Sequence, residues 1–344
     1  MAFTTIDDSG SFFSQKNYTG TSSELAITGV GFQPDLIWLK DRDQTYYNTL
    51  FDSVRGVTKL VYTNATNVEE TDVNAVTAFG ADGFTIGSSN NVNYSGDDFA
   101  CWNWKAGTTT GIATNGSTTI TPSSYSFNQT SGFSILKYTG NSTSGAKLAH
   151  GLGATPTCMM FKNLTAVGSW INYWESIGNT SALYLNDVTA VTASTTFFND
   201  TSPDSVNLTL GNNAYLNTTY DYLAYCFAPV QGFSTFGTYT GTNNSDGPMI
   251  YTGFRPAMLI VKKDGTTDWV MYNPTGQTYN EIGFVTFPNT TAAEGSNYKI
   301  DFLANGFKFR DTAGNTNASA TYYYMAFAEA PFVTDSGTAP ANAR

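Results

Sequence analysis

Gly132-Phe133-Ser134-Ile135-Leu136-Lys137-Tyr138-Thr139-Gly140 decides the fold, because the chain writes its ending three times. Tyr-Thr-Gly stands at Tyr18-Thr19-Gly20, Tyr138-Thr139-Gly140 and Tyr239-Thr240-Gly241. Each is followed by a Gly-x-x-Pro whose proline lies 16 to 18 residues after the tyrosine: Gly31 to Pro34, Gly153 to Pro156, Gly253 to Pro256. An apolar run follows each proline and reaches lysine at the sixth position, at Lys40, Lys162 and Lys262. Self-similarity at this scale marks a chain built from tandem units, and it takes precedence over residue-by-residue assignment.

Gly-Phe opens the second and third units, the third as Gly232-Phe233-Ser234-Thr235-Phe236, whereas the first has Phe12-Phe13 there. The unit ends also correspond: Cys101-Trp102-Asn103-Trp104-Lys105-Ala106, Ala224-Tyr225-Cys226-Phe227-Ala228-Pro229 and Ala326-Phe327-Ala328-Glu329-Ala330-Pro331. Small and large residues alternate in all three, a period of two that belongs to strands. The prolines are 122 and 100 residues apart, too far and too uneven for a solenoid, so each unit is expected to own its core. Six to eight short strands per unit, separated by turn residues, predict an all-β chain of three tandem antiparallel β-sandwich repeats of jelly-roll type.

The boundaries follow from the repeats: 1–107, 131–230 and 231–335, with a tail at 336–344. Residues 108–130 are rich in Thr, Ser, Asn and Gly and read as a linker that hinges the first unit to a more rigid second and third. The runs Asp35-Leu36-Ile37-Trp38-Leu39-Lys40 and Ala257-Met258-Leu259-Ile260-Val261-Lys262 are apolar on both alternating faces, as expected of central strands. Proline at the entry costs no ladder bond there, and the exit lysine is expected to end the run at solvent.

Composition agrees. The 344 residues are 41% hydrophobic, 15% aromatic and only 12% charged, apolar enough for a folded core. Thr, Tyr and Phe favour pleated backbone, and Asn and Gly favour turns. A net charge of −11 argues against nucleic acid, which needs clustered Lys and Arg. No apolar run is long enough to span a membrane as a helix. Met1-Ala2-Phe3-Thr4-Thr5-Ile6-Asp7-Asp8 lacks the basic and apolar regions of a secretion signal, so synthesis in a cytosol is expected.

The segments Gly132–Gly140, Ala149-His150-Gly151-Leu152-Gly153, Leu223-Ala224-Tyr225-Cys226-Phe227-Ala228-Pro229-Val230, Tyr251-Thr252-Gly253-Phe254-Arg255-Pro256-Ala257 and Ala326-Phe327-Ala328-Glu329-Ala330-Pro331-Phe332 resemble the repeat of virion proteins from tailed bacteriophages, marine and cyanobacterial ones especially. Phe3-Thr4-Thr5-Ile6-Asp7-Asp8, Gly31–Trp38 and Phe51-Asp52-Ser53-Val54-Arg55-Gly56 are similar to that family's N-terminal unit. The resemblance implies a structural protein on the virion surface, a head decoration or fibre or a tail appendage. Its implied partners are other virion proteins and copies of itself, and it brings no catalytic residues.

No enzyme is expected from the residues either. His150 sits among glycines in a turn, and no Gly-x-Ser-x-Gly elbow occurs. The pairs Asp7-Asp8, Glu69-Glu70 and Asp97-Asp98 point to opposite faces if they lie in strands and suit solvated loops, with a loose oxygen site for a cation near Asp97 and Asp98 the weaker alternative. Cys101, Cys158 and Cys226 have no metal spacing and read as core thiols. No cofactor and no metal is expected. The alternative function is a host-surface glycan adhesin, for which Trp170, Tyr173, Trp174, Trp269 and Tyr272 would serve as flat platforms beside amides.

Overall fold

The computed structural model describes residues 4–277 and 279–332; the expected tail at 336–344 lies outside them. Strands hold 41% of the chain and helix 3%, so the protein is all-β. Unit 1 contains β1 (Phe13–Thr19), β2 (Leu25–Ile27), β3 (Leu36–Asp41), β4 (Thr49–Asp52), β5 (Lys59–Tyr62), β6 (Glu70–Thr71), β7 (Val76–Gly80), β8 (Gly83–Ile86) and β9 (Asp98–Trp104). Unit 2 contains β10 (Ser124–Asn128), β11 (Phe133–Thr139), β12 (Ala146–Ala149), β13 (Cys158–Asn163), β14 (Ile171–Trp174), β15 (Ser181–Tyr184), β16 (Thr192–Ala193), β17 (Asn207–Leu210) and β18 (Asp221–Phe227). Unit 3 contains β19 (Ser234–Thr240), β20 (Met249–Tyr251), β21 (Phe254–Lys263), β22 (Val270–Tyr272), β23 (Val285–Thr286), β24 (Ile300–Leu303), β25 (Gly306–Phe309) and β26 (Thr321–Pro331).

One strand order recurs. The large sheets run β1-β9-β3-β4-β5-β6, β10-β11-β18-β13-β14-β15-β16 and β19-β26-β21-β22-β23, so in each unit the first Tyr-Thr-Gly strand pairs with the last strand, and the last with the post-proline strand. Short sheets β2-β8-β7, β12-β17 and β20-β25-β24 accompany them. The Tyr-Thr-Gly phrase has a physical cause. The hydroxyls of Tyr18, Tyr138 and Tyr239 donate to the carbonyls of Val92, Leu216 and Thr316. A Cβ on Gly20, Gly140 or Gly241 would lie 2.1, 2.0 or 2.1 Å from the carbonyl oxygen of Tyr94, Thr218 or Ala318, which only glycine permits. Beside each stands a buried asparagine, Asn93, Asn217 or Asn317, whose Oδ1 accepts from the backbone N–H after the glycine and whose amide donates to two further carbonyls.

Units 1 and 2 each have a core of their own, yet all three units also share a larger one. One face of the large sheets in units 1 and 2 closes on its own short sheet, around Ile37, Phe51 and Cys101 in unit 1 and around Leu136, Phe161 and Leu208 in unit 2. The other face joins a single apolar cluster that runs through all three units, from Trp38, Trp102 and Trp104 through Ile135, Trp170 and Phe227 to Met258, Met271 and Phe327. Phe327 meets Phe13, Trp104, Phe227 and Phe233 at ring separations of 5.2 to 6.0 Å. The strands that read as apolar on both faces are therefore covered by a short sheet on one side and by the other units on the other.

Residues 108–130 are not a free hinge. Thr108 bridges Phe127, Ile120 is buried beside Leu148, and β10 pairs with β11 from Ser124↔Lys137 to Asn128↔Phe133. Ser126 Oγ donates to buried Asp35 of unit 1 and accepts from Gly107 N–H, and Asn128 donates to the Ala106 carbonyl. Ser126 and Asn128 thus tie this segment to unit 1, while Thr118 and Ser123 bond Asn207 and Lys137 of unit 2.

The three seams obey one rule. The loop after the fifth strand of unit 1 reaches unit 2, its counterpart in unit 2 reaches unit 3, and that of unit 3 returns to unit 1, closing a ring. Lys40, Lys162 and Lys262, expected at solvent, are fully buried at these seams. Lys40 Nζ donates to the carbonyls of Tyr46 and of Thr291 in unit 3; Lys162 to Gly168 and to Ala65 of unit 1; Lys262 to Gly265, Thr267 and Val188 of unit 2. The indoles of Trp170 and Trp269 donate to the carbonyls of Tyr62 and Tyr184, and at the matching place in unit 1 the Asn48 amide donates to Phe287 and Thr290.

Burial lowers Lys162 from 10.5 to about 7, and Lys40 and Lys262 to about 8, with neighbouring carboxylates opposing the shift in the latter two. Above these values the unfolded chain holds more protons on these lysines than the folded one, so stability rises as pH climbs from about 7 to about 8.5, beyond which the unfolded chain begins to lose the protons that burial keeps on the three cysteines and the gain reverses. Denaturant midpoints measured from about pH 7 to about 8.5 should increase. Lys162→Met should flatten the lower part of the rise and cost about 1–3 kcal/mol by stranding seam carbonyls.

The first seam also carries a buried ion pair. Arg55 Nε lies 2.6 Å from Asp52 Oδ2, both side chains almost wholly buried, and the Tyr225 hydroxyl of unit 2 donates to the same oxygen at 2.9 Å. Asp52→Ala should cost about 3–5 kcal/mol in urea unfolding by leaving the Arg55 charge without its main partner. Replacing Asp52 and Arg55 together with apolar residues should cost clearly less.

Candidate functional site

The five aromatics expected as a sugar platform are inside the protein. Trp170 and Tyr272 are 0% exposed, Trp269 1%, Tyr173 2% and Trp174 3%. Trp170 and Trp269 hold seams, and Trp174 packs against Trp269 and Tyr323. Tyr173 packs edge-on against Phe198, and Tyr272 against Phe302. A ring without solvent access cannot stack on a pyranose, which removes this set as a glycan site. The sequence signal was ambiguous because an alternating Trp/Tyr strand looks the same whether its outer face meets water or a neighbouring sheet.

His150 is buried, and it locks a turn: Nδ1 accepts from Leu152 N–H and Nε2 donates to the Asp204 carbonyl. Burial lowers its pKa, with Asp204 opposing. The adjacent carboxylates differ in setting, and Glu69 and Glu70, expected in a solvated loop, are half-buried. Asp8 accepts from Gly10 N–H and Ser11 Oγ; Glu69 faces Arg55 and Lys59 at 3.6 and 3.7 Å; Glu70 accepts from Tyr62 and Asn67; Asp98 accepts from Thr19 Oγ1. Among the described residues no group of three His, Cys, Asp or Glu side chains is placed to hold a metal ion, the Asp97-Asp98 region included.

The cysteines are buried and unpaired with one another. Burial pushes Cys101 and Cys226 up to about 12 and Cys158 well above its ordinary value, so all three remain thiols. A thiol reagent should modify none of them in the native protein at pH 8 and all three in denaturant, as counted by mass spectrometry.

One open concavity lies where units meet and another along residues 108–130. The first, of about 460 Å³, is lined by Thr4, Gln129, Thr130, Gly132, Pro229 and Gln231 among others. The second, of about 530 Å³, shares Gln129 and Thr130 and adds Thr108, Thr110 and Asn128. Neither is lined by an ionisable side chain, and Gln129 and Asn128 already donate to the carbonyls of Gly151 and Ala106. No helix among the described residues is long and apolar enough to cross a membrane.

Fold and site together define an all-β protein of three like-ordered sheet pairs closed into a ring, whose reactive-type side chains serve packing and turn bonds. Residues 8–331 match the model of a Domain of unknown function (DUF7483), and the chain belongs to that family. The match spans all three units as one domain, in keeping with their shared core. No curated protein and no solved structure matches the chain.

Proposed function

We propose that this protein is a structural component of the outer surface of a tailed bacteriophage particle, a head decoration or fibre or a tail appendage. It acts by non-covalent contact with other virion proteins and with copies of itself, and each sheet pair is read as one β-sandwich repeat. The sequence resemblance points to the particle. The observation that carries the contact role is the engagement of the candidate catalytic groups elsewhere: His150, the three cysteines, Asp8, Glu69, Glu70 and Asp98 have places in turns, seams or cores. The low share of charge supports the same reading, since Thr, Ser and Asn present a surface that packs with little side-chain entropy to lose.

Antibody raised against the chain should decorate intact particles of the phage that encodes it, and the chain should co-purify with them through a density gradient. Its presence in infected-cell lysate but absence from purified particles would sink the proposal.

A further inference from the structure

Among the described residues, the outer edge of β19 lacks the flanking strand that its counterpart β11 has in β10, so the chain itself shows what fits there. β11 of unit 2, the counterpart of β19, is flanked by β10; Ser123 N–H and the whole of β10 bond along its outer edge, beginning at the Lys137 carbonyl. Aligning the tyrosines of Tyr-Thr-Gly places Thr238 opposite Lys137 and Asn17. In unit 1 the matching edge carries Lys16 and is faced by the turn Pro274–Gly276, whose Thr275 and neighbouring Asn273 bond Gln15. Among the described residues, β19 has β26 on one side and no strand on the other.

Its polar groups are presented accordingly. Phe233 and Ala328 are bonded across the β19–β26 ladder, so by antiparallel alternation the N–H and C=O of Phe236 and Thr238 point outward. Ser234, in the same phase, turns its N–H out to Val230. The segment Ser234-Thr235-Phe236-Gly237-Thr238-Tyr239-Thr240 holds no charge, no proline and no bulge, the three devices by which sheet edges are ordinarily kept from pairing. Thr238 is exposed.

We infer that two copies of this chain associate through antiparallel pairing of their β19 edges. A two-fold axis at Gly237 sets Phe236 of one copy opposite Thr238 of the other, bringing outward donors onto outward acceptors twice, the self-complementary arrangement a symmetric dimer requires. On a chain of net charge −11, an uncharged edge is also where a second copy meets least repulsion. The inference rests on reading the chain as a contact protein that meets copies of itself, and it supplies the surface.

Sedimentation velocity on the full chain over a concentration series should show a species of twice 37.1 kDa. Thr238→Lys, which places a charge on the edge, and Thr238→Pro, which deletes an outward donor, should each weaken association about tenfold or more, with circular dichroism unchanged. A wild-type chain that stays monomeric at its highest soluble concentration overturns the inference, as do variants that dimerise as well as wild type. Either result leaves the particle assignment to its own test, because antibody decoration of virions does not depend on this edge.

Discussion

A sheet whose central strands are apolar on both faces cannot be finished by one covering layer. The post-proline strands β3, β13 and β21 pose that problem three times, and each short sheet answers it on one side only. Water must leave the remaining face, at about 25 cal/mol per Å² of apolar surface removed, and here the other units are what displace it. The buried lysines, the indole donors and the mixed aromatic cluster around Phe327 all stand on this shared face or at its rim. Three units with one exposed apolar face each form a ring, because a linear row would leave its two ends wet.

The seams share a plan and differ in chemistry. Asp52 and Trp174 occupy the same ladder position, opposite the second residue after the proline, and Asn273 follows β22 at the corresponding place in unit 3. Asp52 engages Arg55 and Tyr225, Trp174 packs at a tilt against Trp269, and Asn273 bonds Gln15. The seam from unit 3 to unit 1 further holds Arg42 against Glu294 at 2.7 Å. Exchanging any two units would set an acid beside indoles or leave an amide without its partner. Buried polar groups that add little net stability can in this way determine the order of assembly.

Much of this was legible in the chain. Tyr-Thr-Gly, Gly-x-x-Pro and the alternating closing strands located the three units and their all-β character, since each phrase answers a steric demand that side chains make locally. What the sequence hid was relational. Lysine after an apolar run signals solvent when its surroundings are unknown, and only the neighbouring unit's carbonyls turn Lys162 inward. Residues 108–130 have the composition of a tether, yet alternation in Ser124-Tyr125-Ser126-Phe127 was there to be read as a strand. The recurrent asparagine four or five residues before each closing strand, at Asn93, Asn217 and Asn317, also went unread, although its spacing repeats with the other motifs. The five aromatics assigned to sugar lacked any local feature that separates a wet face from a dry one.

The return of unit 3 to unit 1 joins positions as far apart as Lys40 and Thr291, 251 residues along the polypeptide. During synthesis the inward face of the first unit therefore emerges long before its cover exists, at a pace of about 5–20 residues per second. For roughly 10–50 seconds Trp38, Trp102 and Trp104 have only transient shelter, and a chain cut short after the second unit lacks the cover that the third supplies. Ring closure thus works as a completeness check on translation: only a polypeptide carrying all three units can hide its stickiest surface, and incomplete products are left in the state that chaperones and proteases recognise.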